Sequence, residues 1–459
     1  MTVTKRFMGF FDLFRRQKTF SHGGIYPAEH KELTAGQKIR RLPFPPTLAV
    51  PLSQHKGAPA ESLVKPGQEV VRGEPIAAAR GFVSVPMHAP ATGRVMAIDL
   101  WPTAEGPKAE AIIIDVHEAA TQQVLYGMEV DILALPPAEI VAAVQAAGLV
   151  GLGGAAFPSH VKMTPPEGRT IETVVVNGCE CEPYLTCDHR VMLEQTDQLL
   201  LGTRIAMKAT GARRAMIGVE DNKMDAVAAI RAKLPPGEKA ITVHAVEAKY
   251  PQGAEKMLVE SLLGRQIPEG GLPADLGVAV YNVGTLAQMG ELLPRGRGLI
   301  ERVITVSGPG VSKPGNYLVP LGTPISFILQ QLGTAPEANE VILGGPMMGM
   351  ATASLDVPVT KGVSGIVVYE AGNPDQEQRR VYPCIKCSRC VDACPMQLNP
   401  SMLGQLAQTR EYQRMETDFH LNQCFECGCC AYVCPSNIPL TQYFRIAKAI
   451  NRDTPKDDG

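Results

Sequence analysis

Between residues 40 and 116 the apolar positions fall in short runs cut by proline and glycine: "TLAVPL", "LVKPGQEVVRGEPIAAA", "VSVPMHAPATGRVMAID" and "EAIIIDV". Runs this short, punctuated this often, predict an all-β module. From about residue 137 the period changes. The apolar strands "TVVVNG" (173–178), "AMIGVE" (215–220), "AITVHAVE" (240–247) and "GVAVYNV" (277–283) alternate with helical stretches such as "NKMDAVAAIRAKL" and "GAEKMLVESLLG". That alternation predicts a parallel sheet covered by helices, with ligands gathered at the carboxyl ends of the strands. Residues 301–340 read as a small β-grasp insert, and 341–375 as a returning strand and glycine turn. Gln376–Arg380 open a polar linker into a helical, cysteine-rich end at 376–459. The expected division is 1–20, 21–125, 126–300, 301–340, 341–375 and 376–459.

Two windows need separate treatment. Phe7, Phe10, Phe11 and Phe14 recur at i, i+3, i+4 and i+7, with Lys5, Arg6, Arg15, Arg16 and Lys18 around them. Residues 1–20 therefore predict an amphipathic basic helix that lies on a membrane surface or a partner. Folding back onto its own chain is the equal alternative. Asp12 and Arg15–Arg16 interrupt the apolar core a secretory signal needs, so none is expected. The uncharged window 140–158 is long enough to cross a bilayer, but glycines break its second half and Pro158 ends it. It reads as a buried helix running into a glycine loop, and no transmembrane span is expected.

A chain of 459 residues exceeds one core, so three or more domains are expected. A formal charge of −2 argues against a nucleic-acid binder. Twelve cysteines do not form a secreted disulfide framework here, because eight sit in two tight repeats, which points to a reducing compartment.

Those repeats are "CIKCSRCVDACP" (384–395) and "CFECGCCAYVCP" (424–435). Cysteines at i, i+3 and i+6 wrap one side of a [4Fe–4S] cube, and the fourth, before proline, ligates the other cluster when two runs are present. Cys384, Cys387, Cys390 and Cys434 would hold one cluster, and Cys424, Cys427, Cys430 and Cys394 the other. A helical stretch between the runs, "MLGQLAQTREYQRME", points to an α-helical ferredoxin domain. Two structural zinc sites are the alternative, disfavoured by Pro395 and Pro435 after intact four-cysteine runs. Cys429 falls outside the register and reads as non-ligating.

"GLVGLGGAAFPSHVK" (148–162) is a loop in which Gly151, Gly153 and Gly154 could bring backbone N–H groups onto a phosphate, with Lys162 adding charge. A turn or helix-packing role is an equal alternative on pattern alone. "VVVNGCECEPYLTCDHR" (174–190) ends a buried strand at Asn177 and continues through Glu180, Glu182 and Asp188. Carboxylates just past a strand end, beside a phosphate-type loop, suit a flavin or nucleotide site. Cys179, Cys181 and Cys187 fit no common cluster spacing and read as buried or pocket thiols.

These segments carry a resemblance. "GLGGAAFPSHVK", "VVNGCECEP", "YPQGAEKMLVESLLGR" and "VYNVGTLA" follow the order of matching segments in the flavin-binding, NADH-oxidising subunit of respiratory complex I. "VKPGQEVVRGEPIA" with "VPMHAPATGRV" resembles the barrel-sandwich module of biotinyl and lipoyl carriers. Val85–Pro86–Met87 replaces the modified lysine, so a structural or docking module is expected. Together with the double cysteine tail, residues 20 to 450 resemble the RnfC family, one of the component families of the Rnf electron transport complex.

The resemblance implies a multidomain α/β protein: a barrel-sandwich β module, an FMN/NADH-binding domain with a β-grasp insert, and a helical ferredoxin domain. It implies FMN, two [4Fe–4S] clusters and NADH as substrate. Gly151, Gly153, Gly154, Lys162, Asn177, Glu180, Glu182, Gly253, Glu255, Asn282 and Thr285 would line the pocket, with Tyr184 and Tyr250 packing on the dinucleotide. Glu180 would orient nicotinamide or tune the flavin's proton. Leu152, Cys179, Cys181 and "AEK" (254–256) depart from the complex I pattern, which bears on NADH contacts more than on the flavin site. The implied function is a peripheral NADH-oxidising subunit on the cytoplasmic side of the inner membrane. It would pass electrons through FMN and the clusters to partner subunits of an ion-translocating complex, on its ferredoxin or flavodoxin side. A soluble diaphorase subunit and a non-enzymatic conduit or scaffold are the alternatives.

Overall fold

The computed structural model describes residues 18–104, 106–372 and 380–453. Phe7, Phe10, Phe11 and Phe14 of the expected basic helix lie outside these residues. Lys18 and Phe20, at its expected end, are not helical. Lys18 makes a β-bridge to Val246, and Phe20 is buried.

Alternation of apolar residues folds 47–116 into two small sheets. Thr47–Pro51, Ala109–Val116, Gly93–Trp101 and Glu69–Val70 form one in that order; Glu61–Ser62, Pro75–Ala78 and Met87–His88 form the other. Leu48, Val50, Ile112 and Ile114 face the core between them. Ala49 points the other way and is also fully buried, because its N–H donates to the Gly322 carbonyl of a neighbouring domain (2.9 Å). Val85 and Met87, where a carrier would expose its lysine, are buried too. The module is plugged into the body.

The α/β domain has four parallel strands in the order Ile241–Val246, Arg214–Glu220, Thr173–Gly178, Val278–Asn282. Val174, Val175 and Val176 are fully buried on both faces, as parallel sheets demand. Helices Thr196–Thr210 and Val283–Leu292 pack closely because Gly202 and Gly290 lack side chains: a Cβ on either would strike the other helix's backbone. The apolar window at 140–158 is the helix Pro137–Ala146 followed by the glycine loop. Among the described residues no helix is long and apolar enough to cross a membrane.

The β-grasp sheet is larger than the sequence suggests. Its order is Arg40–Arg41, Gly315–Pro320, Glu301–Ser307, Gly365–Glu370, Ala338–Leu343, Met350–Ala351, with helix Ile325–Leu332 against it. The described part of the expected return segment, 341–372, therefore pairs into this sheet. The cysteine domain is helical, built on Pro400–Gln408, Tyr412–Thr417 and Leu440–Asp453 around Leu403, Met415, Leu421 and Phe444.

Residues 18–42 run across the last three of these. Ile25 bridges Tyr250, Gly24 N–H donates to the Ala393 carbonyl (3.0 Å), and Arg40–Arg41 enter the β-grasp sheet.

Candidate functional site

In the α/β sheet the first strand in sequence, Thr173–Gly178, lies between the second and the fourth. Its crossovers leave in opposite directions there, and in open parallel sheets such a switch point sets the ligand crevice at the strands' carboxyl ends, here those of Thr173–Gly178 and Val278–Asn282. Each of these strands carries an asparagine at that end. Asn177 Nδ2 donates to the Gly253 carbonyl (2.8 Å), and its Oδ1 accepts from Cys179 N–H (3.0 Å). Asn282 Oδ1 accepts from the N–H groups of Gly284 (2.8 Å) and Thr285 (3.2 Å), capping the helix that follows. Its Nδ2 donates to Asp188 Oδ2 (2.6 Å).

The glycine loop lies over this edge. Leu152 N–H donates to Thr285 Oγ1 (2.9 Å), and a Cβ on Gly153 would come within 3.3 Å of the Asn282 amide. Gly154 has φ +108° and nothing within 4 Å of where a Cβ would stand. The exposed rim Gly153–Gly154–Ala155 is thus an open cradle with no side chain larger than methyl. Lys162 reaches the same edge, donating to Glu255 Oε2 (2.8 Å) and the Val280 carbonyl (3.2 Å). Gly253 has no room for a Cβ, which would strike the Cys179 carbonyl. Gly153, Lys162, Asn177, Gly253, Glu255, Asn282 and Thr285 make these contacts at the ends of two neighbouring strands, while Gly151 bonds within the loop, its N–H donating to the Phe157 carbonyl (2.9 Å).

Four expected site residues make their contacts outside the glycine loop. Glu180 is only 6% exposed. Its carboxylate accepts from Asp188 N–H (2.9 Å), His189 N–H (3.1 Å) and Cys187 Sγ (3.3 Å), so it caps the helix Cys187–Glu194 instead of facing the crevice mouth. Tyr184 stacks on His30 (4.7 Å between ring centres) and meets Tyr369 edge-on (5.7 Å), in a small core away from the glycine loop. Glu182 accepts from Met347 N–H and Met348 N–H (both 2.9 Å), and burial pushes its pKa up to about 7. Tyr250 donates to the Cys427 carbonyl (2.7 Å) and packs beside Ile25, Ala393 and Cys429. Tyr250 therefore joins the α/β domain to the cysteine domain, and Glu182 joins it to the turn at Met347–Met348 of the β-grasp sheet.

Sequence reasoning missed two lysines. Lys31 Nζ is buried and donates to the carbonyls of Glu180 (2.8 Å), Glu182 (2.8 Å) and Leu185 (2.6 Å). Lys223 Nζ, buried as well, donates to Glu220 Oε2 (2.6 Å). They hold the acidic turn from beneath, and neither lies in a recognisable motif. Asp188, beside the Glu180 charge, is pushed up to about 7, chiefly by burial. Cys179 and Cys187 are buried thiols whose pKa burial raises.

In the cysteine domain the thiols surround two hollows. One is lined by Cys384, Cys387, Cys390 and Cys434. The other is lined by Cys394, Cys424, Cys427 and Cys430, with Cys429 as a fifth thiol. Each run thus lends its last cysteine to the other hollow. Tyr382 N–H donates to the Ser436 carbonyl (2.9 Å), which draws Cys434 beside the first run. Four thiols per hollow fit a cubane cluster, and the open glycine cradle with Lys162 fits a flavin phosphate.

Fold and site together define an electron-transfer protein that couples a flavin domain to a two-cluster iron–sulfur module. Residues 144–291 match the Nuo51 FMN-binding domain, 19–119 the RnfC barrel sandwich hybrid domain, 303–351 the SLBB domain and 383–438 the 4Fe-4S dicluster domain. The RnfC-type component of the proton-translocating ferredoxin:NAD(+) oxidoreductase complex of Clostridium ljungdahlii is 41% identical over 433 residues, 94% of this chain and 93% of the relative. Its Na(+)-translocating counterpart in Acetobacterium woodii is 38% identical over 407 residues, 86% and 89% of the two chains. The corresponding component of the ion-translocating oxidoreductase complex of Rhodobacter capsulatus is 39% identical over 443 residues, 95% and 84%. The chain belongs to this family, the RnfC components of ion-translocating ferredoxin:NAD(+) oxidoreductase complexes. Among solved structures, the H2-reduced NAD+-reducing [NiFe]-hydrogenase shares the fold with a TM-score of 0.50 at 18% identity, over 71% of this chain and 65% of that one. FMN and [4Fe–4S] clusters are the cofactors of the chain.

Proposed function

We propose that the chain exchanges electrons between NADH and the two clusters by way of FMN in the crevice, as a peripheral subunit on the cytoplasmic face of the inner membrane. When bound, FMN converts between the two electrons of a hydride and the single electrons a cluster accepts. The backbone of Gly151, Gly153 and Gly154, with Lys162, would hold its phosphate, and Asn177 and Asn282 would meet its polar edges. Glu255 keeps the Lys162 ammonium at the crevice. Glu180 and Lys31 fix the turn between crevice and cysteine domain, and no side chain need act as nucleophile.

The observation that carries this reading is the position of Tyr250. Gly253, at the crevice, accepts from Asn177, and three residues earlier the Tyr250 hydroxyl donates to the carbonyl of Cys427 (2.7 Å). A rigid, buried segment thus separates the crevice from the hollow of Cys394, Cys424, Cys427 and Cys430. We assign those four thiols to an inner cluster, and Cys384, Cys387, Cys390 and Cys434 to an outer one. Anaerobic titration of the intact protein with NADH, followed by absorbance and EPR, tests the route. Flavin bleaching with reduction of both clusters is expected. FMN retained at full occupancy with no response to NADH would leave a conduit or scaffold instead.

A further inference from the structure

The two hollows differ in what covers them. The inner one has other parts of the molecule packed on one side: Tyr250, Ile25 and Met347 pack around Cys427 and Cys429, and Gly23 lies so close to Cys394 that a Cβ would come within 2.5 Å of its carbonyl carbon. The outer one opens to solvent. Cys384 and Cys387 are exposed, and so is every residue from Arg380 to Arg389. Within that stretch Val381, Tyr382 and Ile385 are 49%, 51% and 68% exposed. Exposed Met402 adds to the rim, following Ser401, whose hydroxyl stands 3.8 Å from Cys384 Sγ.

The rim is also of one sign. Arg380, Lys386 and Arg389 are its charged residues, and no acid occurs between Arg380 and Val391. Among the described residues neither Lys386 nor Arg389 forms an ion pair, while the Arg380 guanidinium stands over the Tyr382 ring (5.6 Å). An apolar centre ringed by such cations has the anatomy of a protein interface, with charge fixing the partner and its register. Electron exchange weakens steeply with distance through protein, so a partner must sit over the exposed thiols. Diffusing redox carriers use small, weak contacts, whereas exposed apolar residues of this number suit a lasting one.

We propose that this rim docks another subunit of the membrane complex, one that presents carboxylates around a one-electron centre of its own. The proposal rests on the assignment of Cys384, Cys387, Cys390 and Cys434 to the outer cluster. One electron crosses: the outer cluster is oxidised as the partner's centre is reduced, or the reverse, and no bond is made or broken.

Membranes carrying the assembled complex provide the test. A zero-length carbodiimide cross-linker followed by mass spectrometry should join Lys386 to an Asp or Glu of a redox-centre-bearing subunit. The double variant Lys386→Glu/Arg389→Glu should lose that link and slow re-oxidation of the outer cluster's EPR signal at least tenfold after NADH reduction, with FMN and iron contents unchanged. Iron loss in the variant would count against the ligand assignment and not the docking face; the cross-link in the unaltered complex then decides. Lys386 left unlinked, or linked only to a soluble ferredoxin or to a second copy of this chain, overturns the proposal.

Discussion

Lys361 is fully buried between domains, and its ammonium donates to the carbonyls of Pro86 (2.9 Å) and Gly148 (2.8 Å). Burial lowers its pKa to about 7. An unfolded lysine keeps its proton up to about 10.4. Between these values the unfolded chain binds more protons than the folded one, so this residue makes stability rise with pH. Below the folded value both states are protonated, and the cost of burying the charge is fully present. Lys361→Met should remove that pH dependence, which thermal unfolding at pH 7 and pH 9 would reveal as a smaller rise in Tm than in the unaltered protein. An equal rise in both proteins would place the effect in other groups. Gly154 argues at the same scale: its φ of +108° disfavours any side chain, at a cost of about 1–3 kcal/mol, and the space beside it is the cradle itself. Gly154→Val should therefore release FMN, while iron stays near the roughly eight atoms two cubanes contain. Stoichiometric FMN in that variant would move the phosphate site elsewhere.

The strap formed by residues 18–42 is the element on which the site depends most. It holds no long helix or strand, yet it touches the α/β sheet at Val246, the inner hollow at Ala393 and the β-grasp sheet at Tyr317. Its Lys31 gives three carbonyls of the acidic turn their hydrogen-bond donor. Lys31→Met keeps the apolar stem and removes the ammonium. Hydrogen bonds to a charged donor are worth about 1.5–3 kcal/mol each, partly offset by the cost of burying the cation. A net loss of at least about 3 kcal/mol is expected, read as a lower denaturant midpoint at unchanged m-value. A midpoint within experimental scatter of the parent would mean that the turn holds itself.

At the scale of the whole molecule, the crossed cysteines pin the two halves of the ferredoxin domain to each other. The inner hollow takes its fourth thiol from Cys394 of the first run, and the outer one takes Cys434 from the second. Cys394→Ser should therefore damage the cluster of Cys424, Cys427 and Cys430, not that of its own run. Cys384→Ser should damage the other. EPR of the two variants after dithionite reduction separates the outcomes, and loss of the same signal from both would refute the crossing. The barrel-sandwich module belongs to this scale as well. Its Lys56 N–H donates to the Ala156 carbonyl (3.1 Å) of the glycine loop, so it braces that loop.

Sequence alone determined whatever rests on local spacing. The strands 173–178, 214–220, 241–246 and 278–282 announce themselves because a buried parallel strand must be apolar at consecutive positions. The cysteine runs, with the proline after each, carry the geometry of a cube's corners within a few residues, so a pairing across runs can be proposed before any fold. The glycine loop was legible too, though as one of two readings. Tertiary structure decided what depends on distant partners. Glu180 looks like an acid past a strand end; only the folded chain brings Asp188 and His189 N–H groups to both its oxygens. Tyr184 and Tyr250 share a residue type and a place in neighbouring motifs, yet one faces His30 and the other Cys427. The strands 338–343 and 365–370 joined the β-grasp sheet because their edges pair with each other and with 301–307, a choice no period encodes. Burial and hydrogen-bond partners are properties of the packed chain, and residues far apart in sequence supply most of those that set this site.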